Sequence, residues 1–356
     1  MTESTLTSVT NDGLRCPSDE GLSGKAISAT SITKPERMST GIVIGIFLGI
    51  AVIGSVIPRL VGSPLLLTLL TQAVISALLA TSVGFLVRQN GLVSFGHAAF
   101  FGLAGYLVAL SMAHRVASIE LTIVAAILLP VLLAFLIGLL FLRLNGVAFS
   151  MLTMAVAQAF YELFLRWRAL ANGEDGISVQ LPGTIFGADV AIFQNPQSMF
   201  LICWMALMTV LMALWFLTRS HFGTLTVAIR ENEERVRFIG YATNVPRAVV
   251  YGISVAIGAL GGVLFSLYNG FLTPDTLHWS LSGEALVIAI IGGTRYVWGP
   301  ALGAVVFFFL KGSLGDVTEH WQGILGVLLI LVVVLMPNGL SSVVTMVKQR
   351  LGGKTQ

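Results

Sequence analysis

Few side chains in this sequence are placed to do chemistry, and the familiar catalytic constellations are missing. The closest string to a GxxxxGK[ST] phosphate loop is Gly353, Lys354 and Thr355. It has Lys348 where the first glycine would stand and no helix to follow. There is no HExxH pair, no GxSxG elbow and no His/Cys spacing suited to a metal, so the chain is read as a non-enzyme with no metal site and no bound cofactor. The two cysteines, Cys16 and Cys203, stand far apart, one in a polar tail and one in an apolar run. Neither a disulfide framework nor a metal cluster follows from them. Inside apolar runs the ionisable candidates are His97 and Glu162. Each invites a functional reading, because a charged side chain at a membrane helix centre costs about 2.5–3.5 kcal/mol on insertion scales.

His97 lies in GLVSFGHAAFFGLAGY at 91–106, where four glycines allow close backbone approach and a local helix break. Such a break would free backbone groups and let Ser94 and His97 face a substrate pathway. The simpler reading for His97 alone is a neutral imidazole hydrogen-bonded across a helix interface. Glu162 precedes Arg166 by four residues, a helical ion-pair spacing. One such carboxylate falls short of the relay that an ion-coupled secondary transporter would need.

These residues must be carried by membrane helices. Of 356 residues, 56% are hydrophobic and only 10% charged, against roughly 25% charged in a soluble domain. Apolar runs at 41–57, 64–87, 92–113, 121–142, 147–165, 198–217 and 248–268 mostly approach the roughly 20 residues that cross a bilayer. Shorter runs follow at 285–293, 301–310 and 324–336. The fold expected is an all-α, polytopic transmembrane helix bundle. It has ten spans if every run crosses, and eight if 285–310 dips in and returns around the break at 292–300. Residues 1–40 are rich in Ser and Thr, lack an apolar signal-peptide core, and are expected to be a disordered tail.

Placing both termini in the cytoplasm leaves most of the 20 Lys and Arg on the inner side, as the positive-inside rule requires. The net charge of +3 is thus read as membrane orientation, with no nucleic-acid partner. The domain layout is then a cytoplasmic tail 1–40, a membrane-spanning domain 41–340 and a cytoplasmic C-terminal tail 341–356. Two long loops stand out. The outer one, 166–197, carries Asn172, Gly173, Glu174, Asp175 and Gly176, residues suited to turns that need positive φ. The inner one, 218–247, repeats Ile229, Asn232, Val236 and Ile239 at helical spacing among charged residues. That pattern predicts one short amphipathic helix, which either docks in a protein groove or is a solvated charged face. GxxxG spacings at Gly41/Gly45/Gly49, Gly258/Gly262 and Gly299/Gly303 predict close helix packing.

Five ordered strings carry a resemblance over about 64–340: GLVSFGHAAFFGLAGY at 91–106, GVAFSMLTMAVAQAFYELF at 146–164, NGEDGI at 172–177, AIRENEERVRFIGY at 228–241, and SGEALVIAIIGG followed by WGPALGAVVFFF between 282 and 309. On these the chain resembles the permease subunit of branched-chain amino acid ABC transporters, a group that includes urea and short-chain amide importers. The resemblance implies an ABC importer permease fold in a bacterial inner membrane, forming half of a pathway for branched-chain or related amino acids. The urea or amide class is the alternative, and an ion-coupled carrier a more remote one. It implies partners: a second related permease, two ATPase subunits that bind ATP, and a periplasmic substrate-binding protein. It also implies an ATPase-coupling role for Arg230, Glu231, Asn232, Glu233, Glu234, Arg235 and Gly240, and a binding-protein dock at Asn172, Gly173, Glu174 and Asp175.

Overall fold

The computed structural model describes residues 40–315 apart from 61, 145 and 186, together with 323, 324, 326, 327, 330 and 339–341. The expected tails and the run 324–336 therefore lie wholly or largely outside the described residues. The chain divides into residues 1–43, of which only the start of the first helix is described, and residues 44–356, which hold the bundle.

The bundle is all-α, as the apolar runs require. Its helices are α1 (Thr40–Leu60), α2 (Pro64–Asn90), α3 (His97–His114), α4 (Ile119–Phe141), α5 (Gly146–Arg166), α6 (Arg168–Ala171), α7 (Ala191–Gln194), α8 (Pro196–Arg219), α9 (His221–Glu231), α10 (Glu233–Phe238), α11 (Asn244–Asn269), α12 (Trp279–Gly292) and α13 (Gly299–Gly315). Among the described residues, α1 to α5, α8 and α11 are long and apolar enough to cross a membrane. Two-residue strands β1 (Ile177–Ser178) and β4 (Phe271–Leu272) pair antiparallel, with Ile177 opposite Leu272. Strands β2 (Thr184–Ile185) and β3 (Ala188–Asp189) do the same.

Helix α4 shows how such a bundle packs without a hydrophobic effect between its helices. Beyond Ile119 in its first turn, its buried face is Thr122, Ala126, Pro130, Ala134 and Gly138, while Leu121, Leu128, Leu132, Leu136 and Leu140 are exposed. Small residues inside and large ones outside suit helices that touch through their backbones and present bulk to lipid. A Cβ on Gly138 would lie 3.2 Å from the Tyr251 ring of α11. Gly258 and Gly262 of α11 meet Ser82 of α2 and the backbone of Phe101 in α3, so this GxxxG pair seats α11 between two helices. A Cβ on Gly45 or Gly49 of α1 would meet nothing within 4 Å.

After β4 the chain turns back into the bundle. It passes a short 3₁₀ turn at Pro274–Leu277, then starts α12 beside α3 and reverses at 293–298 into α13. Gly292, Gly299 and Gly303 stack backbone on backbone at the reversal, where a Cβ on Gly303 would come 2.7 Å from the Gly292 nitrogen. Pro300 then packs on Gly84, and Gly312 lies beside Leu69. Helix α13 therefore follows α2 for about 18 Å, and α12 and α13 are apolar but shorter than the helices long enough to cross a membrane.

Candidate functional site

Ser220 caps α9 by accepting a hydrogen bond from the Gly223 nitrogen at 3.2 Å. The buried face of α9, with Gly223, Thr226 and Ile229, lies against the end of α2. Thr226 donates to the Gln89 side chain at 2.9 Å, and Arg230 donates to the Arg88 carbonyl at 2.5 Å. The second bond places a cation on a carbonyl in the last turn of α2, where intrahelical donors have run out. Gly91 ends α2 at φ 68°, and a Cβ there would approach Arg230 Cγ to 2.9 Å. A cavity of about 580 Å³ opens beside this contact, with Arg88, Arg230 and Arg295 on its walls.

The single amphipathic helix expected over 228–241 is two helices. Asn232 breaks it at φ −156° and ψ 95°, and its side chain accepts a hydrogen bond from the Arg235 nitrogen at 2.9 Å. An Asn in this position satisfies an orphan N–H that a continuous helix would not need satisfied, so the cap wins over helix continuation. Ile229 and Val236 are buried as their spacing predicts, but Ile239 is exposed. Glu233 is the fixed point of α10. Its carboxylate accepts hydrogen bonds from Arg237 at 2.6 Å, Thr243 at 2.8 Å and Arg247 at 2.8 Å. Burial alone would raise the Glu233 carboxyl. The Thr243 hydrogen bond and the charges of Arg247 and Arg237 outweigh it and hold the group below its ordinary value of 4.5.

Glu231, Glu234 and Arg235 are exposed, with Glu231 3.9 Å from Arg230. Gly240 turns the chain at φ 96°. Around it project Phe238, at 91% exposure, Ile239 and Tyr241. In the sequence this tip is Phe238, Ile239 and Tyr241 around Gly240, just past a charged run, and helical spacing sets Ile239 in register with Ile229 and Val236.

The second group of candidates lies deep in the bundle. Residues 91–96 are not helical, and α5 satisfies their backbone: Ser150 donates to the Val93 carbonyl at 2.7 Å, and Thr153 accepts from the Phe95 nitrogen at 3.2 Å. Irregular backbone at membrane depth requires such partners. Ser94 is buried and accepts from the Gly96 nitrogen at 3.2 Å. His97, fully buried at the start of α3, meets the Ser254 hydroxyl at 2.7 Å. That hydroxyl donates to the Ser82 carbonyl at 2.6 Å, so it accepts from His97 Nε2. This chain of bonds ties α3, α11 and α2 together. Glu162 pairs with Arg166 at 2.9 Å on α5, half-exposed and apart from His97.

Residues that the hydropathy pattern left in loops also make contacts with these helices. His278 caps α12 by accepting from the Ser280 nitrogen at 3.3 Å, and its ring packs edge-on to Tyr161. Glu284 of α12 pairs with Lys311 of α13 at 3.2 Å. Phe95 packs edge-on against Trp279. Ser282 accepts from the Ala98 nitrogen at 2.7 Å, fixing the starts of α12 and α3 side by side.

At the opposite end of α8 and α11 from α9, Asn172 and Gly173 take φ of 61° and 64°, and Gly176 takes φ 69°. The Asn172 side chain donates to the Gly176 carbonyl at 3.1 Å, closing the turn. Gly176 packs on the Leu272 carbonyl, which seats β1 on β4. Glu174 and Asp175 project from this turn, exposed.

Comparison with known proteins sets these elements in context. A family model described as the permease component of branched-chain amino acid transport systems matches residues 65–334. The high-affinity branched-chain amino acid transport system permease protein LivM of Salmonella typhimurium is 25% identical over 290 residues, 76% of this chain and 68% of that protein. LivM of Escherichia coli is 24% identical over the same shares. The autoinducer 2 import system permease protein LsrC of Yersinia pseudotuberculosis is 26% identical over 118 residues, 33% of each chain. No solved structure matches the chain significantly. With the family model spanning the bundle from α2 past α13, the chain belongs to the branched-chain amino acid permease family, as a membrane-spanning, non-catalytic subunit of an ABC importer.

Proposed function

We propose that this chain forms half of the translocation pathway of an ATP-driven importer for branched-chain or related amino acids in a bacterial inner membrane, and that α9 and α10 couple it to an ATPase. Permeases of this family typically work with a second permease, ATPase subunits and a substrate-binding protein. The observation that carries the reading is the tip of α10. One face of the segment is fixed, through Ile229, Val236 and the Glu233 cluster, while Phe238, Ile239 and Tyr241 stand free beyond it. A rigid segment ending in unpaired aromatic and aliphatic side chains is what an apolar protein groove accepts. Glu231, Glu234 and Arg235 would form the polar rim of that contact. The turn at Asn172, Gly173, Glu174 and Asp175, at the other end of the bundle, would receive the binding protein. ATP binding on the partner would act through α9 on the end of α2, shifting which end of the pathway is open.

Replacing Phe238 and Ile239 together by Ala tests this. At about 2 kcal/mol for each buried anchor, the ATPase should co-purify with at least roughly hundredfold lower affinity, and uptake should fall while the permease still inserts. Normal ATPase recovery and normal uptake in this variant would remove the docking assignment.

A further inference from the structure

We propose that the cavity beside Arg230 binds a terminal phosphate group, either soluble or carried on a lipid. This goes beyond the coupling role proposed for α9 and does not depend on it. Three elements bring guanidinium groups to one space: Arg88 from the last turn of α2, Arg230 from α9, and Arg295 from the hairpin between α12 and α13. The cavity they line holds about 580 Å³, within the roughly 300–1,000 Å³ usual for small-molecule sites. Thr294 adds a hydroxyl. The rest of the wall is aliphatic or glycine, with no carboxylate on it.

Other arginines at this end of the bundle have partners. Arg237 and Arg247 pair with Glu233, and Arg219 lies 4.2 Å over the Trp215 ring. The cavity group differs. Among the described residues, the Arg88 and Arg295 guanidiniums have neither a hydrogen bond nor an ion pair. Arg230 gives one nitrogen to the Arg88 carbonyl, and its ion-pair partner, the exposed Glu231, stands off at 3.9 Å. Residues 342–356, which follow the packing of Gly339 on Gly293, include no Asp or Glu. Like charges facing one wet space create a field that concentrates anions, and guanidinium forks pair with phosphate oxygens two at a time. Charge and oxygen count then select the ligand class. A carboxylate has one charge and two oxygens, too few for three forks, whereas a terminal phosphate has up to two charges and three free oxygens. Bound there, it would tie α9 to α2 and to the α12–α13 hairpin.

Modification of arginines by phenylglyoxal, read peptide by peptide with mass spectrometry, tests this on the purified full chain. In detergent, inorganic phosphate should slow modification of Arg295 about tenfold once it reaches about ten times its dissociation constant, relative to chloride of equal ionic strength. Arg143, exposed and outside the cavity wall, should react equally in both. In nanodiscs, phosphatidic acid diluted in phosphatidylcholine should protect Arg295 if the source is lipid, and phosphatidylcholine alone should not. Protection in either arm supports the site, and the pattern names the source. Arg88→Gln should return Arg295 to its unprotected rate in whichever arm showed protection. If that variant fails to fold, Arg295→Gln serves, with protection read at Arg88. Equal rates under all conditions, or protection that persists without the second arginine, overturn the shared site. Protection seen only with an ATPase subunit bound also overturns it, in favour of an acidic side chain from that partner. None of these results bears on the permease function, which the measurement does not use.

Discussion

Glu233 shows how one side chain can hold a protruding segment rigid. Its three donors come from α10 itself, from the link to α11 and from the first turns of α11, so the carboxylate joins two helices through partners ten and fourteen residues along the chain. Arg247 is only 12% exposed and would lose its acceptor if Glu233 were truncated. Glu233→Ala should therefore loosen α10 by about 1–3 kcal/mol, seen as faster amide exchange over 233–239 with little change elsewhere. The pH dependence follows from the direction of the shift. A carboxyl held below 4.5 in the folded protein contributes stability that is complete above the unfolded value and lost only as pH falls through the lower, folded one. Exchange protection of α10, corrected for intrinsic rates, should thus stay flat from about pH 5 to 8. A loss of protection inside that window would mean the carboxylate is not the clamp.

At the scale of elements, the long helices were legible because a bilayer demands long apolar runs, and seven of them became α1 to α5, α8 and α11. Turn chemistry was equally direct at Asn172, Gly173 and Gly176, all of which take positive φ. The Glu284–Lys311 pair was not legible, for a physical reason. Hydropathy starts a span after Glu284 and ends one before Lys311, so both read as loop. The non-helical segment after β4 and the packing of α13 along α2 then bring the two together. The same hairpin depends on three glycines. Gly303→Ala should set a Cβ against the Ile288 carbonyl and the Gly292 backbone, costing about 1–3 kcal/mol through overpacking. The thermal midpoint of the detergent-solubilised protein should fall accordingly. Gly45→Ala, where nothing lies within 4 Å, is the matched control and should leave it unchanged.

For the whole molecule, topology fixes more than composition can. Helix α8 runs from the segment holding Asn172 to α9, and α11 runs back from α10 to β4, which pairs with β1. At 26 residues α11 is about 39 Å long, more than the hydrocarbon core is thick. The turn bearing Glu174 and the tip bearing Phe238 must then face opposite compartments. Which compartment is which rests on the arginines, since Arg219, Arg230, Arg235, Arg237 and Arg247 all gather at the α9 end. On that basis Glu174→Cys, in a background lacking the other cysteines, should be labelled in intact spheroplasts by a membrane-impermeant maleimide. Glu234→Cys should be labelled only after the membrane is opened. The reverse pattern would put α10 on the side where no nucleotide is available, and with it the coupling role of α9 and α10 would fall, while the helix packing and the Glu284–Lys311 pair would stand unaltered.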